Sequence, residues 1–256
     1  MKHLISFSGG IGSTISAIVA HENNLDYELI FCDTLIEDED LYRFNIDVAN
    51  TLKKEIIVLK DGRTPWDVFV DRKYIGNDRL AHCSQELKKD QFEKYLNTRN
   101  DISSENCFIV LGMSYDEKER IDKAKKHWLP YKVKSLSIEY KVYRNTWQDL
   151  LLKYKLQRPR LYDYGFPHNN CGGFCVKAGQ KQFLTLLQTN PERYKFHEEK
   201  ELETIEIIGP TARPFLSIYR DGKKSFITLK EFRELVEQGK ITVNPFDYSG
   251  CGCFTD

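Results

Sequence analysis

Short apolar runs alternate, over the first two thirds of the chain, with longer stretches in which apolar residues recur every three or four positions. The short runs predict a buried strand at residues 2–7 and further strands at 27–32, 55–59 and 107–111. The stretches between them predict helices at 13–21, at 38–52 and in a long region that ends near residue 96. This alternation predicts an α/β fold with a doubly wound, mostly parallel sheet covered on both faces.

The pattern changes character near residue 165, after a predicted helix at 147–154 and a loop that begins at Pro159. We therefore expect a larger domain over residues 1–165 and a smaller, cysteine-rich region over 166–256. Within the second region the pattern predicts a helix at 176–187, a hairpin around Asp221-Gly222 and a helix at 229–237.

Composition changes this picture little. The 256 residues are 41% hydrophobic and 30% charged, with a formal net charge of zero, which is typical of a globular protein without a global basic field. No run approaches the ~18 apolar residues of a membrane helix. The first residues reach a glycine turn too early for a secretory segment, so we expect a cytoplasmic protein that does not bind membranes. A basic stretch with aromatics at 123–134 is a local candidate for nucleic-acid contact, or a solvated helix end.

Polar residues follow three of the four predicted strands, at 8–13, at Asp33-Thr34 and at 112–120. In parallel sheets ligands bind at the carboxyl ends of the strands. The first of these segments lies between a strand and a helix, where backbone N–H groups and the helix dipole favour phosphate. The phosphate-binding candidates are Ser8, Gly9, Gly10, Ile11, Gly12 and Ser13. The loop lacks the Gly-Lys-Ser/Thr ending of a Walker loop, and a plain strand-to-helix turn is the alternative.

Seven cysteines are present. Cys32 and Cys107 lie in apolar runs and are expected to be buried. The other group stands in two glycine-rich segments, Cys171 with Cys175 and Cys251 with Cys253. Thiolates at such spacings suit zinc or an iron–sulfur cluster, and a redox dithiol is a third interpretation that the spacing leaves open.

The segment Ser-Phe-Ser-Gly-Gly-Ile-Gly-Ser resembles the Ser-Gly-Gly-x-x-Ser loop of the PP-loop ATP pyrophosphatase superfamily, and most closely its sulfate-reductase-like branch. Further elements follow in the order of that branch over about residues 3 to 179. They are Asp33-Thr34 with Glu37, Cys83-Ser84 with Leu87-Lys88, Ile109-Val110-Leu111-Gly112 with Asp116 to Arg120, Trp147, and the Leu-Tyr-x-x-Gly-Phe run that begins at Leu161. The chain departs from the pattern at Ile11 and Gly12, where most members carry Lys and Asp.

The resemblance implies a Rossmann-like PP-loop fold and ATP with Mg²⁺ as the nucleotide. It implies an enzyme that activates a substrate with release of pyrophosphate, for sulfur transfer to a nucleic-acid base or nucleotide. On this basis Asp33, Glu117, Arg120 and Cys253 are catalytic candidates, and Asp33 and Gly112 join the loop in nucleotide binding. A sulfur donor protein and a tRNA or DNA acceptor are the implied partners.

The same resemblance favours a [4Fe–4S] cluster over zinc, with Cys83, Cys171, Cys175 and Cys251 as ligands. Two other functions stay open. One is reduction of phosphoadenylyl sulfate or adenylyl sulfate, although the chain lacks the Glu-Cys-Gly-Leu-His ending of such reductases. The other is a non-catalytic nucleotide-binding subunit of a modification or defence complex, which the missing Lys and Asp of the loop suggest.

Overall fold

The computed structural model describes residues 1–77, 79–220 and 223–248. Its centre is a five-stranded sheet of order β3-β2-β1-β4-β5 in which every neighbouring pair is parallel. The strands are β1 (Lys2–Ser6), β2 (Tyr27–Asp33), β3 (Ile56–Lys60), β4 (Cys107–Leu111) and β5 (Lys132–Lys134). The predicted α/β class is confirmed. The fifth strand was not predicted, because three residues with lysines on either side of Val133 carry almost no apolar pattern.

Helices cover both faces of this sheet. They are α1 (Ile11–Glu22), α2 (Glu39–Leu52), α3 (Pro65–Arg72), α4 (His82–Ser84), α5 (Asp90–Asn97), α6 (Lys118–His127), α7 (Leu136–Glu139), α8 (Trp147–Lys153) and α9 (Arg160–Asp163). Local chemistry sets several of their starts. The Asp38 side chain accepts the N–H of Asp40 ahead of α2, and Thr64 forms a capping box with Asp67 ahead of α3.

The core lies in two layers, one on each face of the sheet. Successive residues of a strand point to opposite faces, so Ile5 joins one layer and Leu4 the other. The first layer contains α1, α2 and Trp147 of α8, and the second contains Phe92 of α5 and Trp128. The central strand β1 is therefore buried from both sides, which fixes the position of the loop that follows it.

The C-terminal region contains α10 (Gln180–Thr189), α11 (Pro191–Ile208), the strands β6 (Leu216–Arg220) and β7 (Lys223–Ile227), and α12 (Leu229–Glu237). The two strands pair antiparallel, as predicted, and Asp221-Gly222 lies outside the described residues. The helix predicted from residue 176 begins only at Gln180, because a turn joins Cys175 to Ala178. Helix α11 was missed, although Asn190 before Pro191 is a helix-start signal.

A third apolar cluster joins this region to the sheet domain. Trp66 and Phe69 of α3 pack in it with Phe174, Phe183 and Tyr194. The two predicted regions thus share one core, and the boundary at residue 165 stays a prediction. No helix among the described residues combines the length and the apolar character needed to cross a bilayer.

Candidate functional site

A cavity of about 380 Å³ opens at the carboxyl ends of β1 and β4, where the sequence predicts the site. Its walls come from the glycine loop, the segment after β4, and the segments around α8 and after α9. The lining side chains and backbone include Ser8, Gly10, Ile11, Gly12, Ser13, Lys88, Gly112, Glu117, Arg120, Arg144, Trp147, Tyr162, His168 and Asn169. Most of the predicted phosphate-loop residues therefore meet Gly112, Glu117 and Arg120 in one cavity.

The glycine loop leads directly into α1. The hydroxyl of Ser13 accepts the N–H of Ser8 at 3.2 Å and donates to the carbonyl of Gly10 at 3.0 Å. The first N–H groups of a helix have no intrahelical acceptor, so this turn presents donors and a positive dipole end to the cavity. The N–H of Ile11 already donates to the Tyr162 phenol oxygen at 3.1 Å. The turn has the geometry of an anion site with one donor capped by the protein itself.

The backbone of Gly12 touches the backbone of Gly112 at the end of β4. A Cβ atom on Gly12 would lie 2.2 Å from the Gly112 carbonyl oxygen, and one on Gly112 would lie 2.3 Å from the Ser13 nitrogen. Real Cβ atoms do not approach backbone this closely. This contact gives a physical reason for Gly12 where most PP-loop proteins carry Asp.

Asn169 connects the cavity to the base of the loop. Its amide nitrogen donates to the Gly9 carbonyl at 2.9 Å, and the side chain is 1% exposed. Gly9 adopts a φ of +70°, and a Cβ there would lie 2.7 Å from Leu41, so only glycine fits. The Oδ1 atom of Asn169 is buried and has no hydrogen-bond partner in the part of the chain that the structure describes. Asn169 therefore fixes the base of the loop through Gly9 and leaves one buried acceptor unsatisfied among the described residues.

Two arginines converge on Glu117 at the opposite wall. Arg120 donates to one carboxylate oxygen, and Arg144 donates to the other at 3.1 Å. The Ser114 N–H and hydroxyl reach the second oxygen as well, each at 3.1 Å. Burial alone would raise the pKa of Glu117, but the Ser114 hydrogen bonds and the two guanidinium charges lower it overall. Glu117 is therefore an anion that positions two cations at the cavity, and its predicted catalytic role stays a prediction.

Lys88 and His168 complete the polar lining. Lys88 is 7% exposed, lies in a stretch of π-helix at Gln85–Lys89, and directs its ammonium group to the Cys171 sulfur at 3.6 Å. The widened turn of a π-helix often marks a functional site. Burial, followed by the charge of Arg120, lowers the pKa of His168, so the imidazole is neutral at pH 7.

Asp33 lies outside the residues that line the cavity. It is 3% exposed, accepts from the Tyr42 hydroxyl at 2.8 Å and the Leu35 N–H at 2.9 Å, and pairs with Lys60 at 3.3 Å. These contacts engage its carboxylate at the end of β2. The structure therefore gives Asp33 a local role at this turn, and its predicted contact with the nucleotide stays a prediction.

The cysteines are placed only in part. Cys83 and Cys171 pack against the same apolar cluster as Trp66, and Cys171 is held in the left-handed region, with its N–H on the buried carboxylate of Glu37. Within residues 1–77, 79–220 and 223–248, no three His, Cys, Asp or Glu side chains form a group that could hold a metal. Cys251 and Cys253 lie outside the described residues. The described thiols thus do not complete a cluster site.

Sequence reasoning missed Arg144 and Asn169 and gave Tyr162 no role. Tyr162 stands within the Leu-Tyr run that carried the resemblance, so its place near the site could have been inferred. Asn169 lies two residues before Cys171, and its own position carries no spacing or periodic signal for a contact with Gly9. Arg144 has no local signal beyond its charge.

Comparison with known proteins is consistent with this geometry. Residues 2–124 match the family model of the phosphoadenosine phosphosulfate reductase domain. An uncharacterized protein of Methanocaldococcus jannaschii is 24% identical over 241 residues, which are 91% of this chain and 54% of that protein. The chain thus spans about half the length of this curated relative.

A crystal structure of phosphoadenylyl-sulfate reductase from Candida auris, in a phosphate complex, aligns with a TM-score of 0.45 and 12% identity, over 64% of this chain and 78% of that one. The chain thus contains a parallel α/β domain, and residues 2–124 of it are similar to the phosphoadenosine phosphosulfate reductase domain. This match covers 123 of the 256 residues, slightly less than half of the chain.

Proposed function

We propose that this chain is an enzyme that binds an adenine nucleotide in the cavity and uses ATP to activate an acceptor for sulfur transfer. The observation that carries the proposal is the pairing of the α1 N-terminus with Arg120 and Arg144 across one cavity. Helix N-terminal N–H groups and guanidinium forks are the groups that bind phosphate oxygens in proteins.

In the proposed reaction an acceptor oxygen attacks the α-phosphorus of ATP. The new O–P bond forms as the bond to pyrophosphate breaks, and a sulfur nucleophile then displaces AMP from the acceptor. The turn at Gly12 and Ser13 would hold the leaving pyrophosphate, and the arginines would stabilise the charge that develops on it. Asn169 would hold the loop in position through its hydrogen bond to the Gly9 carbonyl. Mg²⁺ would arrive with the nucleotide, because Glu117 is already neutralised by two arginines.

The missing loop lysine is consistent with this proposal. Lys88, Arg120 and Arg144 all line the cavity and come from elements outside the loop. Their charges offset those of the nucleotide phosphates without a lysine at position 11. The loop would then contribute backbone donors, while other elements contribute the cations.

Reduction of a sulfonucleotide is the second candidate, and the family match supports it equally. The observation that favours reduction is the contact of Lys88 with the Cys171 thiol at 3.6 Å. Because Lys88 lines the cavity, this contact places the Cys171 sulfur close to the cavity. In this reaction a cysteine sulfur attacks the sulfate sulfur, the nucleotide leaves, and an added dithiol reductant releases sulfite from the thiosulfonate. Both candidate reactions use a sulfur nucleophile, and the cysteines among the described residues do not complete a metal site.

The test is a pair of assays on protein purified without oxygen. One measures pyrophosphate release from ATP with candidate acceptors, and the other measures sulfite from phosphoadenylyl sulfate or adenylyl sulfate with a dithiol. Arg120→Ala should abolish whichever activity the native chain has, whereas Arg213→Ala, an exposed arginine on another surface, should retain it.

Pyrophosphate without sulfite supports ATP-dependent activation, and sulfite alone supports reduction. Nucleotide binding with neither product would overturn both and favour a non-catalytic subunit. Iron, sulfide and zinc analysis of the same preparation, compared with a Cys171→Ala, Cys175→Ala double variant, tests the predicted cluster separately.

A further inference from the structure

Two exposed tyrosines stand side by side next to the cavity. Tyr115 is 54% exposed and Tyr143 is 51% exposed, and their ring centroids are 6.2 Å apart. We call this pair the tyrosine platform. Single exposed aromatics are ordinary on protein surfaces, but two adjacent rings leave a large amphipathic area open to solvent.

The tyrosine platform is built into the cavity wall. Tyr115 begins the short turn Tyr115–Glu117, and Tyr143 directly precedes the turn Arg144–Thr146. Arg144 joins the two turns, because it donates to the Ser114 hydroxyl at 2.9 Å and to Glu117 at 3.1 Å. Arg144 and Glu117 themselves line the cavity. The same ion pair therefore positions both the cavity wall and the tyrosine platform.

The neighbouring helix carries positive charge on its exposed surface. Helix α6 follows the Tyr115 turn, and it exposes four lysines and two acidic residues, so its exposed surface has a net positive charge. The lysines are Lys118, Lys123, Lys125 and Lys126, the acidic residues are Glu119 and Asp122, and Lys125 pairs with Asp122 at 3.0 Å. Lysines on one helix beside exposed aromatic rings are the combination that holds single-stranded nucleic acids, in which the rings stack on bases and the cations follow the phosphates.

We propose that the tyrosine platform stacks unpaired bases of a single-stranded polynucleotide and so presents the acceptor to the cavity. This inference rests on the proposed function and specifies its substrate class. The nucleotide in the cavity does not need these rings, because Trp147 and Tyr162 already provide aromatic surface in its lining. The platform lies at the rim, where a polymer too large for the cavity would approach.

The experiment measures fluorescence anisotropy of labelled 12-nucleotide single strands, as RNA and as DNA, and of a duplex of the same sequence. The native chain should bind single strands more tightly than the duplex. A Tyr115→Ala, Tyr143→Ala double variant should lose at least about tenfold in single-strand affinity, since each stacked base contributes a several-fold factor. The Tyr115→Phe, Tyr143→Phe variant keeps the rings and should bind within about twofold of the native chain.

Tyr219→Ala is the matched control, because this tyrosine is 73% exposed on β6 and does not line the cavity. ATP binding by each variant is measured in parallel. Three outcomes would each refute the proposed role of the tyrosine platform. They are an unchanged single-strand affinity of the double alanine variant, an equal loss of that affinity in Tyr219→Ala, and no binding of single-stranded nucleic acid by the native chain. Loss of ATP affinity in the double variant would assign the rings to the nucleotide instead. If the native chain binds single-stranded nucleic acid but not ATP, the proposed function is refuted, and the anisotropy measurements still test the tyrosine platform.

Discussion

Substitution of Gly12 tests the contact that joins the phosphate loop to the sheet. A Cβ at this position would lie 2.2 Å from the Gly112 oxygen and 3.2 Å from the Gly112 carbon. An ordinary contact needs at least 3.4 Å, so one of the two backbones must shift by roughly 1 Å. Gly112 follows the buried strand β4, so the start of α1 is the part that has to move.

Two effects should follow for Gly12→Ala. Overpacking in a close-packed region costs about 1–3 kcal/mol of unfolding free energy. A loop displaced by about 1 Å also misplaces its donors, which can lower a catalytic rate about 100-fold. Gly12→Asp, which restores the residue most PP-loop proteins carry, should behave no better, because its Cβ meets the same oxygen.

The assay is urea unfolding of Gly12→Ala together with calorimetric measurement of ATP binding. Gly10→Ala is the control for stability, since its Cβ would meet only the Tyr162 hydroxyl at 3.1 Å and the Ser8 hydroxyl at 3.5 Å, both side-chain ends that can adjust. We expect Gly10→Ala to change unfolding by less than about 1 kcal/mol. A Gly12→Ala protein as stable as the native chain, with native ATP affinity, would refute the reasoning.

Three further substitutions test other parts of the structure. Glu117→Gln should lower the free energy of unfolding by about 1–3 kcal/mol at pH 7. The lowered pKa of this carboxyl gives stability that is lost as pH falls through that value, so an undiminished difference in acid would contradict the ion-pair role. Tyr162→Phe should lower the free energy of unfolding by about 1 kcal/mol, because it removes the hydrogen bond from the Ile11 N–H. ATP affinity should stay equal or rise, since that N–H becomes free to bind phosphate. A tenfold weaker ATP binding would show that the phenol itself holds the ligand. Burial raises the pKa of Glu201 to about 8, so stability should fall by about 3 kcal/mol from pH 4.5 to pH 7 through this group. Glu201→Gln should flatten that slope in urea titrations, and an unaltered slope would mean the group is ionised in the fold.

The elements that the sequence predicted correctly are those with a strong local pattern. Strands β1, β2 and β4 are largely buried runs of apolar residues, and β3 is a partly exposed apolar run at the edge of the sheet. The glycine loop stands where a strand must turn into a helix. Helix α12 was predicted with its observed bounds, because Thr228 and Glu231 form a capping box ahead of an amphipathic segment. In each case the residues that determine the element are contiguous, so reading along the chain is sufficient.

The elements that were missed depend on contacts between distant segments. Strand β5 has three residues, and it exists because Val133 pairs beside Ile109 at the edge of the sheet. Arg144 reaches Glu117 across 27 positions, and Asn169 reaches Gly9 across 160. Neither contact leaves a periodic or spacing signal, because the fold and not the local sequence brings the partners together.

The departure of the loop from the PP-loop pattern has the same origin. In isolation, Ile11 and Gly12 suggest a weakened phosphate site, since a lysine and an aspartate are missing. The fold places Lys88, Arg120 and Arg144 around the same cavity, each supplied by a different segment. It also presses Gly12 against Gly112, which leaves no space for a side chain there. Other segments at the carboxyl ends of the strands can therefore supply a positive charge that the loop lacks. Whether such a loop binds a nucleotide then depends on all the residues that line the cavity and not on the loop motif alone.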